Sequence, residues 1–489
     1  MNIVSIASVV LTMALATTNA AARTWYIVPD GSGDAPTIQA GLDSAASGDT
    51  VLVACGTYYE NDITMKAGVV LRSVTGMPEC VTIDAEELGR VIYCPEGDAN
   101  TRLEGLTLTR GYAQEGAYLQ NLGGGLFLYG SLVGPIVKNC VFLDNRADGH
   151  GGGVHGGYSG TPSFIGCFFQ GNSAGTDGSG GGFVSGYGAS EFCSPTFENC
   201  TFLGNSAGVF GGAVSVTGND LATSSFHDCL FANNSAAAGG AVSFSNIAAT
   251  SIAGCTFSGD SASGSNGVVR SHSSDVEIYN TIIAFGTGGG AVHCVGGGTA
   301  TLHCCDVFGN AGGDWTACIA GQDGADGDFS ADPLFCDAAN GDYHLDVSSP
   351  CLGRNHPSGD PCGRIGSMKA RCMGHLAFGP ATLKREGNEP TEETGANPVT
   401  SGALRFGVSP NPARDAATIR FSGVTNSAAF LRLFDIQGRL VRSWQATSPE
   451  GAIELKAAGH AGASIAPGVY FLRLSDGEQS VTKRLTLIR

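Results

Sequence analysis

The segment Phe197-Glu-Asn-Cys200-Thr-Phe202-Leu-Gly-Asn205 decides the fold, because its pattern recurs along the chain. With its copies it places a cysteine at Cys140, Cys167, Cys200, Cys229 and Cys255, in steps of 27, 33, 29 and 26 residues. Each copy ends in Asn or Asp and leads into a small pair such as Ser-Ala, then glycines and an apolar residue. A repeat of this period is typical of a solenoid.

Within each repeat the apolar residues alternate, as Phe197, Cys200 and Phe202 do, which is the spacing of a strand rather than a helix. Such short strands bury no face alone, so we expect them to stack at roughly 4.8 Å and to align Cys, Phe and Asn along the axis. Asn suits the turn because it tolerates the left-handed region and its amides can hydrogen-bond along the stack. A short amphipathic helix between Asp34 and Asp49 is expected as an end cap.

Composition narrows the class of protein further. The 489 residues include 75 Gly, yet no strict Gly-X-Y period suggests collagen, and 42% hydrophobic against 14% charged residues argues against disorder. The formal net charge of −18 would repel a phosphate backbone, so we expect no nucleic-acid partner. Between Gly111 and Gly353 there are three basic and twenty acidic residues, whereas from Leu404 to Arg489 there are eleven basic and six acidic, which predicts two domains.

Four segments are predicted along the chain. Residues 1–22 have an apolar run and an Ala-rich cleavage site, so they are interpreted as a signal peptide, with no membrane span after its removal. Residues 23–377 form the solenoid and residues 378–403 a polar linker that contains proline. Residues 404–489 contain about seven short strands between turns, which predicts a small antiparallel β-sandwich.

Three motifs resemble right-handed parallel β-helix proteins of the pectate-lyase-like superfamily. The stretch from Tyr26 to Glu60 resembles the N-terminal segment of these proteins. The recurring Gly-Gly-Ala-Val and Asn-Cys-x-Phe motifs are similar to polymorphic outer-membrane-type repeats. The segment from Asp332-Pro-Leu-Phe to Leu345 is similar to the C-terminal segment that closes the β-helix in secreted bacterial members. The resemblance covers about residues 24 to 375. It implies an all-β chain with a right-handed parallel β-helix and is weakly informative about chemistry.

The C-terminal part resembles a second family. Ser409-Pro-Asn-Pro412, Phe434-Asp-Ile-Gln-Gly-Arg-Leu-Val441 and Pro467-Gly-Val-Tyr-Phe-Leu-Arg-Leu474 look like the C-terminal sorting domain of type IX secretion substrates, and equally like the immunoglobulin-like domain of flagellar hook-capping proteins. The first resemblance implies passage through the periplasm, recognition by the outer-membrane secretion machinery, and a secreted or cell-surface location. Whether this domain is then removed is left open.

The 17 cysteines divide by position. Those in the repeat slot are expected to form a buried ladder of free thiols, and Cys305 fills the same slot. Disulfides are expected among residues outside the repeat, with the pairing left open: Cys318, Cys336, Cys351, Cys362 and Cys372. His293-Cys294 and His303-Cys304-Cys305 lack fixed tetrahedral spacing, so a zinc site is disfavoured.

Few residues suggest catalysis. Asp148-Gly-His150-Gly151 contains the Gly-His-Gly seen in β-helix polygalacturonases, but the other carboxylate motifs of that family are missing, so a turn residue is the favoured interpretation. Asp148, His150 and Arg146 remain the catalytic candidates. Arg146 and Arg270 are the arginines available in the middle of the β-helix. Because basic residues are so scarce there, an anionic polysaccharide is a disfavoured substrate.

An acidic segment offers the one metal candidate. Asp323, Asp326, Asp328 and Asp332, with Asp337, could supply oxygen ligands to Ca²⁺, although they match no known calcium loop and a solvated loop is favoured. We therefore expect no required cofactor, with calcium as the metal to consider.

Two functions stay open at this point. The first is a monomeric, non-catalytic surface protein that binds a polysaccharide or another cell-surface ligand, in the manner of an adhesin, along a long Asn/Ser/Gly-lined face. The second is a polysaccharide lyase or glycoside hydrolase of a divergent β-helix family, an interpretation that rests on fold analogy. Carboxylates clustered in one groove would favour the enzyme, and uniform polar rungs would favour binding.

Overall fold

The computed structural model describes residues 21–372 except 117–118, 131–133, 158, 187–191, 264–265 and 360, and also the seven strands between residues 405 and 487 together with Ser448. The predicted linker, residues 378–403, and the predicted signal peptide up to residue 20 lie outside the described residues. The described chain forms a parallel β-solenoid of about 12 turns and a small antiparallel domain, which confirms the expected all-β class.

Three long parallel sheets form the walls of the solenoid. Sheet A has eleven strands: Thr24–Ile27, Thr50–Val53, Val70–Ser73, Arg102–Glu104, Ile136–Lys138, Ser163–Ile165, Thr196–Glu198, Thr223–His227, Ala249–Ala253, Asp275–Tyr279 and Thr299–His303. Sheet B has ten: Gly56–Tyr58, Val81–Asp84, Thr107–Thr109, Val141–Leu143, Phe168–Gln170, Thr201–Leu203, Leu230–Ala232, Thr256–Ser258, Ile282–Ala284 and Asp306–Phe308. Sheet C has nine: Ile63–Thr64, Ile92–Cys94, Leu126–Leu128, Val154–His155, Phe183–Ser185, Val214–Thr217, Val242–Ser245, Val269–His272 and Val292–Val295.

Shorter elements complete the solenoid. Two-residue strands follow sheet B or precede sheet A: Tyr112–Ala113, Arg146–Ala147, Ser159–Gly160, Ser173–Ala174, Phe192–Cys193, Ser235–Ala236 and Ser261–Ala262. The expected cap helix is confirmed as Ile38–Ser44, where the Thr37 hydroxyl accepts the Ala40 N–H and the Glu60 carboxylate accepts the N–H groups of Ile38 and Gln39. Three 3₁₀ turns lie later in the chain, at Ala317–Ile319, Ala338–Asn340 and Gly353–Asn355.

The repeat slots stack in the core as predicted. The ring of Phe202 lies parallel to those of Phe169 and Phe231, with centroid separations of 4.5 and 4.9 Å. The slot cysteines are free and buried, and the Cys200 thiol donates to the Phe164 carbonyl at 3.4 Å. Burial raises the pKa of the Cys140, Cys167, Cys200 and Cys229 thiols well above the usual range, so these groups stay protonated.

The slot asparagines form a second internal ladder, which we call the Asn ladder: Asn145, Asn172, Asn205, Asn234 and, in the last place, Asp260. The Asn205 Oδ1 accepts both the backbone and the side-chain N–H of Asn172, and the Asn205 Nδ2 donates to Asn234 Oδ1 at 3.0 Å. The predicted stacking of amides is therefore confirmed. The left-handed backbone expected at these residues lies instead on the preceding one, such as Asp144 (φ 52°) and Asn233 (φ 56°), because the chain turns just before the amide enters the core.

Residues 329–372, here called the strap, fold back along the outer face of sheet B. Leu345 packs in one cluster with Ile282 and Ala284, and Tyr343 packs with Leu230 and Ala232. The strap includes three strands: Phe335–Asp337, Asp342–Asp346 and Ala370–Cys372. It therefore covers apolar residues that the turns of the solenoid alone leave on the outside.

Disulfides join mainly the C-terminal part of the solenoid. Two of them involve the strap, Cys304–Cys362 and Cys336–Cys372, and a third, Cys294–Cys318, joins the last strand of sheet C to the 3₁₀ turn Ala317–Ile319. The fourth, Cys55–Cys80, lies in the N-terminal turns and was not predicted. The expectation for Cys351 was wrong, because this residue is a free, fully buried thiol 3.1 Å from the Asp306 carboxylate.

The C-terminal domain has two antiparallel sheets in its described residues. One holds Arg405–Ser409, Ala416–Ser422 and Glu450–Lys456, and the other Ala429–Asp435, Leu440–Ala446, Gly468–Ser475 and Ser480–Leu487. Side chains from both sheets share one core, in which Ile419 and Leu455 meet Leu433 and Leu472. The predicted small antiparallel β-sandwich is thus confirmed in the described residues.

Candidate functional site

Sheet A carries a polar outer surface over its middle and C-terminal turns. Side chains alternate across a strand, so Phe197, Phe226 and Ile252 point into the core while their neighbours point to solvent. The outward residues align in register as two rows, which we call the sheet A face: Ser163, Thr196, Ser225, Ser251, Glu277 and Thr301, beside Ile165, Glu198, His227, Ala253, Tyr279 and His303.

A depression of about 320 Å³ lies over the first three strands of the sheet A face. Its lining is Ser163, Thr196, Phe197, Glu198, Ser225 and His227. Glu198 and His227 occupy the same position on adjacent strands, and His227 Nδ1 lies 3.2 Å from Asp228. The Arg364 guanidinium of the strap pairs with the same Asp228 carboxylate at 3.1 Å, so the strap supports one edge of the depression.

An aromatic platform lies farther along the sheet A face. The rings of Tyr279 and His303 stack with centroids 5.0 Å apart and planes 10° apart, and Tyr279 is 38% exposed. The Tyr279 hydroxyl donates to Glu277 Oε2 at 3.2 Å, and His303 Nε2 lies 3.5 Å from the same oxygen. Partial burial and the Glu277 carboxylate raise the pKa of Tyr279, so its hydroxyl remains a donor.

Two of the three catalytic candidates belong to a local brace. The Asp148 carboxylate accepts the Tyr112 hydroxyl at 2.9 Å and the Glu115 N–H at 2.9 Å, and it pairs with Arg146 at 3.2 Å. The Arg146 guanidinium also lies 4.8 Å from the centre of the Tyr112 ring. Burial would raise the pKa of Asp148, but these hydrogen bonds outweigh it and lower the pKa. The ion pair lies within one turn, and the contacts of Tyr112 with Asp148 and Arg146 join that turn to the previous one.

His150 occupies a different environment. Its Nδ1 accepts the Ser179 N–H at 3.1 Å, and burial lowers the pKa of the ring, which keeps it neutral at physiological pH. A neutral imidazole that caps a backbone amide fits the predicted turn role.

The acidic segment is partly built into the end of the solenoid. The Asp328 carboxylate is buried and accepts the Cys305 N–H at 2.8 Å, and burial raises its pKa to about 7. Asp332 accepts the Leu334 N–H, and Asp326 lies 3.7 Å from His303 Nδ1. The described residues contain no group of three or more His, Cys, Asp or Glu side chains placed to hold a metal ion. Calcium binding stays a prediction that this geometry does not strengthen.

The structure changes which polar residues can meet a ligand. The Asn residues of the repeat were expected on a binding face, and this was wrong, because Asn145, Asn172, Asn205 and Asn234 are fully buried. Four residues of the sheet A face were not among the predicted site residues: Glu198, His227, Glu277 and Tyr279. Strand alternation could have found the first two, since each directly follows a core phenylalanine, Phe197 or Phe226, and is therefore out of phase with the core.

Comparisons with known proteins agree with this architecture. Residues 96–257 match the family described as the right handed beta helix region, and residues 407–488 match the secretion system C-terminal sorting domain. The chain therefore contains a right-handed β-helix region and a C-terminal sorting domain. It is a substrate of the type IX secretion system, interacts with that machinery, and is exported to the cell surface or beyond.

Individual relatives add little. No curated protein matches the chain significantly. One solved structure that matches is PorZ, an essential surface component of the type IX secretion system of Porphyromonas gingivalis. The match is 29% identical, covers 17% of this chain and 11% of that chain, and has a TM-score of 0.15, an overlap too small to inform the fold. Among the described residues, there is no helix with the length and apolarity needed to cross a bilayer.

Proposed function

We propose that the sheet A face binds a neutral polysaccharide at the cell surface. The observation that carries the proposal is the pair of aligned outward rows. One row places a hydroxyl on each of four consecutive strands, from Ser163 to Ser251, at the strand spacing of roughly 4.8 Å, and the other places Glu198 and His227 beside them. A sugar chain offers hydroxyl groups in series, and Ser, Thr, Glu and His side chains are suitable donors and acceptors for them.

The aromatic platform adds an apolar contact. The exposed ring of Tyr279 is held flat against His303 and tethered through Glu277, so little side-chain entropy is lost when a sugar ring packs on it. Covering roughly 55 Å² of ring at about 25 cal/mol/Å² contributes about 1.4 kcal/mol, or about tenfold in affinity.

Charge favours a neutral ligand over an acidic one. The carboxylates of Glu198, Asp275 and Glu277 all project from sheet A, and Asp326 lies beside His303 at its end. Carboxylates repel uronic acids and accept hydrogen bonds from neutral sugar hydroxyls.

One observation supports the hydrolytic alternative. Asp275 and Glu277 lie two residues apart on one strand and therefore project from the same side, roughly 7 Å apart along the backbone. This backbone spacing leaves room for the separation of roughly 5–9.5 Å between carboxyl groups that glycoside hydrolysis requires. The alternative predicts release of new reducing ends, which the binding proposal does not.

The test is a pull-down of the purified chain on insoluble neutral and acidic polysaccharides, with assay of released reducing and unsaturated ends. We expect retention on a neutral polysaccharide, about tenfold weaker binding of Tyr279→Ala, and weaker binding of Glu198→Gln. Matched controls are Tyr59→Ala, which removes a tyrosine that is 65% exposed elsewhere, and Glu79→Gln, and both should bind as the wild type does.

Equal binding by all four variants would refute the proposed face, and absence of retention on every polysaccharide would refute the proposed ligand. Release of ends that Glu277→Gln abolishes would establish the enzyme instead.

A further inference from the structure

The outer side of sheet C contains a positive charge with an unusual environment. Arg270 is only 9% exposed, although it belongs to a chain with a net charge of −18. Its guanidinium forms no ion pair with any described carboxylate, and burial lowers its pKa. A buried charge is normally paired, because removing an ion from water costs several kcal/mol.

Three side chains position the guanidinium. Nη1 donates to Ser243 Oγ at 3.2 Å and to Ser245 Oγ at 3.1 Å, and the ring centre of Phe210 lies 4.6 Å from Cζ. Phe210 precedes the strand Val214–Thr217, two turns before that of Arg270, so the ring reaches along the sheet to cover the charge. The arginine is thus fixed in orientation before any ligand arrives.

The arrangement leaves donors without protein acceptors. Arginine carries five N–H groups, and those on Nε and Nη2 of Arg270 donate to no atom of the described chain. Each serine hydroxyl accepts from the guanidinium, so its own O–H remains to be donated elsewhere. These donors lie on the outer side of sheet C, where no carboxylate of the described residues pairs with them.

The next turn adds polar groups to the same region. His293 pairs in register with Arg270, and its Nδ1 is buried without a hydrogen-bond partner. His272 pairs with Ser245 and lies two residues beyond Arg270, so it projects from the same side of sheet C.

We propose that Arg270, Ser243, Ser245 and His293 form a binding pocket for a single oxyanion group, such as a phosphate, a sulfate or the carboxylate of a sugar acid. The anion takes the place of the missing carboxylate and accepts from the guanidinium fork and the two hydroxyls. This site lies on a different sheet from the proposed polysaccharide face and does not depend on it. A single buried arginine accommodates one charged group, so the ligand is a free anion or one acidic substituent rather than a polyanionic chain.

The test measures thermal stability and calorimetric binding of the full chain with inorganic phosphate, inorganic sulfate and glucuronate, with methyl glucoside as the uncharged control. We expect saturable binding of at least one anion, an increase in melting temperature with its concentration, and no effect of methyl glucoside. Binding of the inorganic ions alone would assign a free-anion site, and binding of glucuronate would assign a sugar-acid site.

Variants separate the pocket from general charge effects. Arg270→Gln should lower anion affinity at least tenfold, whereas Arg371→Gln removes a guanidinium that is 66% exposed and should bind as the wild type does. Ser245→Ala removes one donor without changing the charge and should lower the affinity several-fold, which tests the pocket even if Arg270→Gln folds poorly.

Two results would overturn the proposal. One is that the wild type binds none of the three anions at millimolar concentration. The other is that Arg270→Gln melts lower than the wild type by the same amount at every anion concentration, which would make Arg270 a packing element that stacks on Phe210.

Discussion

Asp260 occupies the one position of the Asn ladder, from Asn145 to Asp260, that is not an amide. At the earlier positions each Nδ2 donates to the carbonyl of an apolar residue in the previous turn. Asn145 donates to Leu108, whereas Asn205 donates to Phe169 and Asn234 to Phe202. The equivalent carbonyl for Asp260 is that of Phe231. Asp260 Oδ1 accepts twice from Asn234, but Oδ2 is buried without a partner. A protonated carboxyl can donate there as an amide does, and an ionised one cannot.

The sign and size of the effect follow from the pKa. Burial raises the pKa of Asp260 from 3.8 to about 7, which is about 3 units at roughly 1.36 kcal/mol each, or about 4 kcal/mol. Below pH 4 Asp260 is protonated in both the folded and the unfolded state, so its ionisation does not lower the free energy of unfolding. Between pH 4 and pH 7 Asp260 loses its proton in the unfolded state but keeps it in the folded state, so the free energy of unfolding falls as the pH rises. Above pH 7 both states are ionised and the free energy of unfolding falls no further.

The perturbation is Asp260→Asn, which supplies the donor at every pH. We expect the variant to match the wild type near pH 4 and to be more stable by up to about 4 kcal/mol at pH 8, measured by denaturant unfolding across this range. Asp306 and Asp328, whose pKa values burial also raises to about 7, are present in both proteins and cancel in the comparison.

The matched control is Asp220→Asn, which changes an exposed carboxyl and should leave the pH profile as it is. A stability difference between Asp260→Asn and the wild type that is constant with pH, or a variant less stable at pH 8, would refute the reasoning.

Three further predictions concern the solenoid. Asn205→Ala leaves several buried hydrogen-bonding partners unsatisfied, at about 1–3 kcal/mol each, so the free energy of unfolding should fall by at least about 3 kcal/mol. The exposed Asn100→Ala should change it little, and equal losses for the two variants would contradict the ladder. A double Cys→Ser change that removes the Cys304–Cys362 bridge opens a loop of 58 residues and should lower the free energy of unfolding by about 4 kcal/mol. It should also expose the strap, residues 329–372, to proteases, whereas the same change at Cys55 and Cys80 should not increase cleavage there. Alkylation followed by mass spectrometry should find none of the nine free thiols modified in the native chain and all nine in denaturant; native labelling at Cys200 would contradict its burial.

The repeat made most of the solenoid predictable. Once Cys200, Phe202 and Asn205 recur with similar spacing, stacking follows from the need to bury one face of each short strand, and the Cys, Phe and Asn ladders follow from stacking. The exposure of Asn was mispredicted because polarity was taken to mean solvent contact. In the structure each amide satisfies backbone groups of the turns on both sides, which compensates its burial.

The strap was not predictable from the repeat. Its contacts join residues far apart in sequence, such as Asn233 with Tyr343, and no periodic signal relates the two. The Cys351 expectation failed for the same reason, since only the folded strap places this thiol against Asp306 rather than another cysteine. The environment of Arg270 depends likewise on a ring from another turn, Phe210.

The central claim is that the sheet A face, the two outward rows of sheet A, binds a polysaccharide, and side-chain footprinting tests it most directly. The purified chain would be treated with a carbodiimide for carboxylates and diethyl pyrocarbonate for histidines, with and without the polysaccharide that retains it best. The account predicts protection of Glu198, His227, Glu277 and His303, with unchanged labelling of the exposed Glu79 and Asp220. Protection confined to residues outside sheet A, or no protection at saturation, would contradict it.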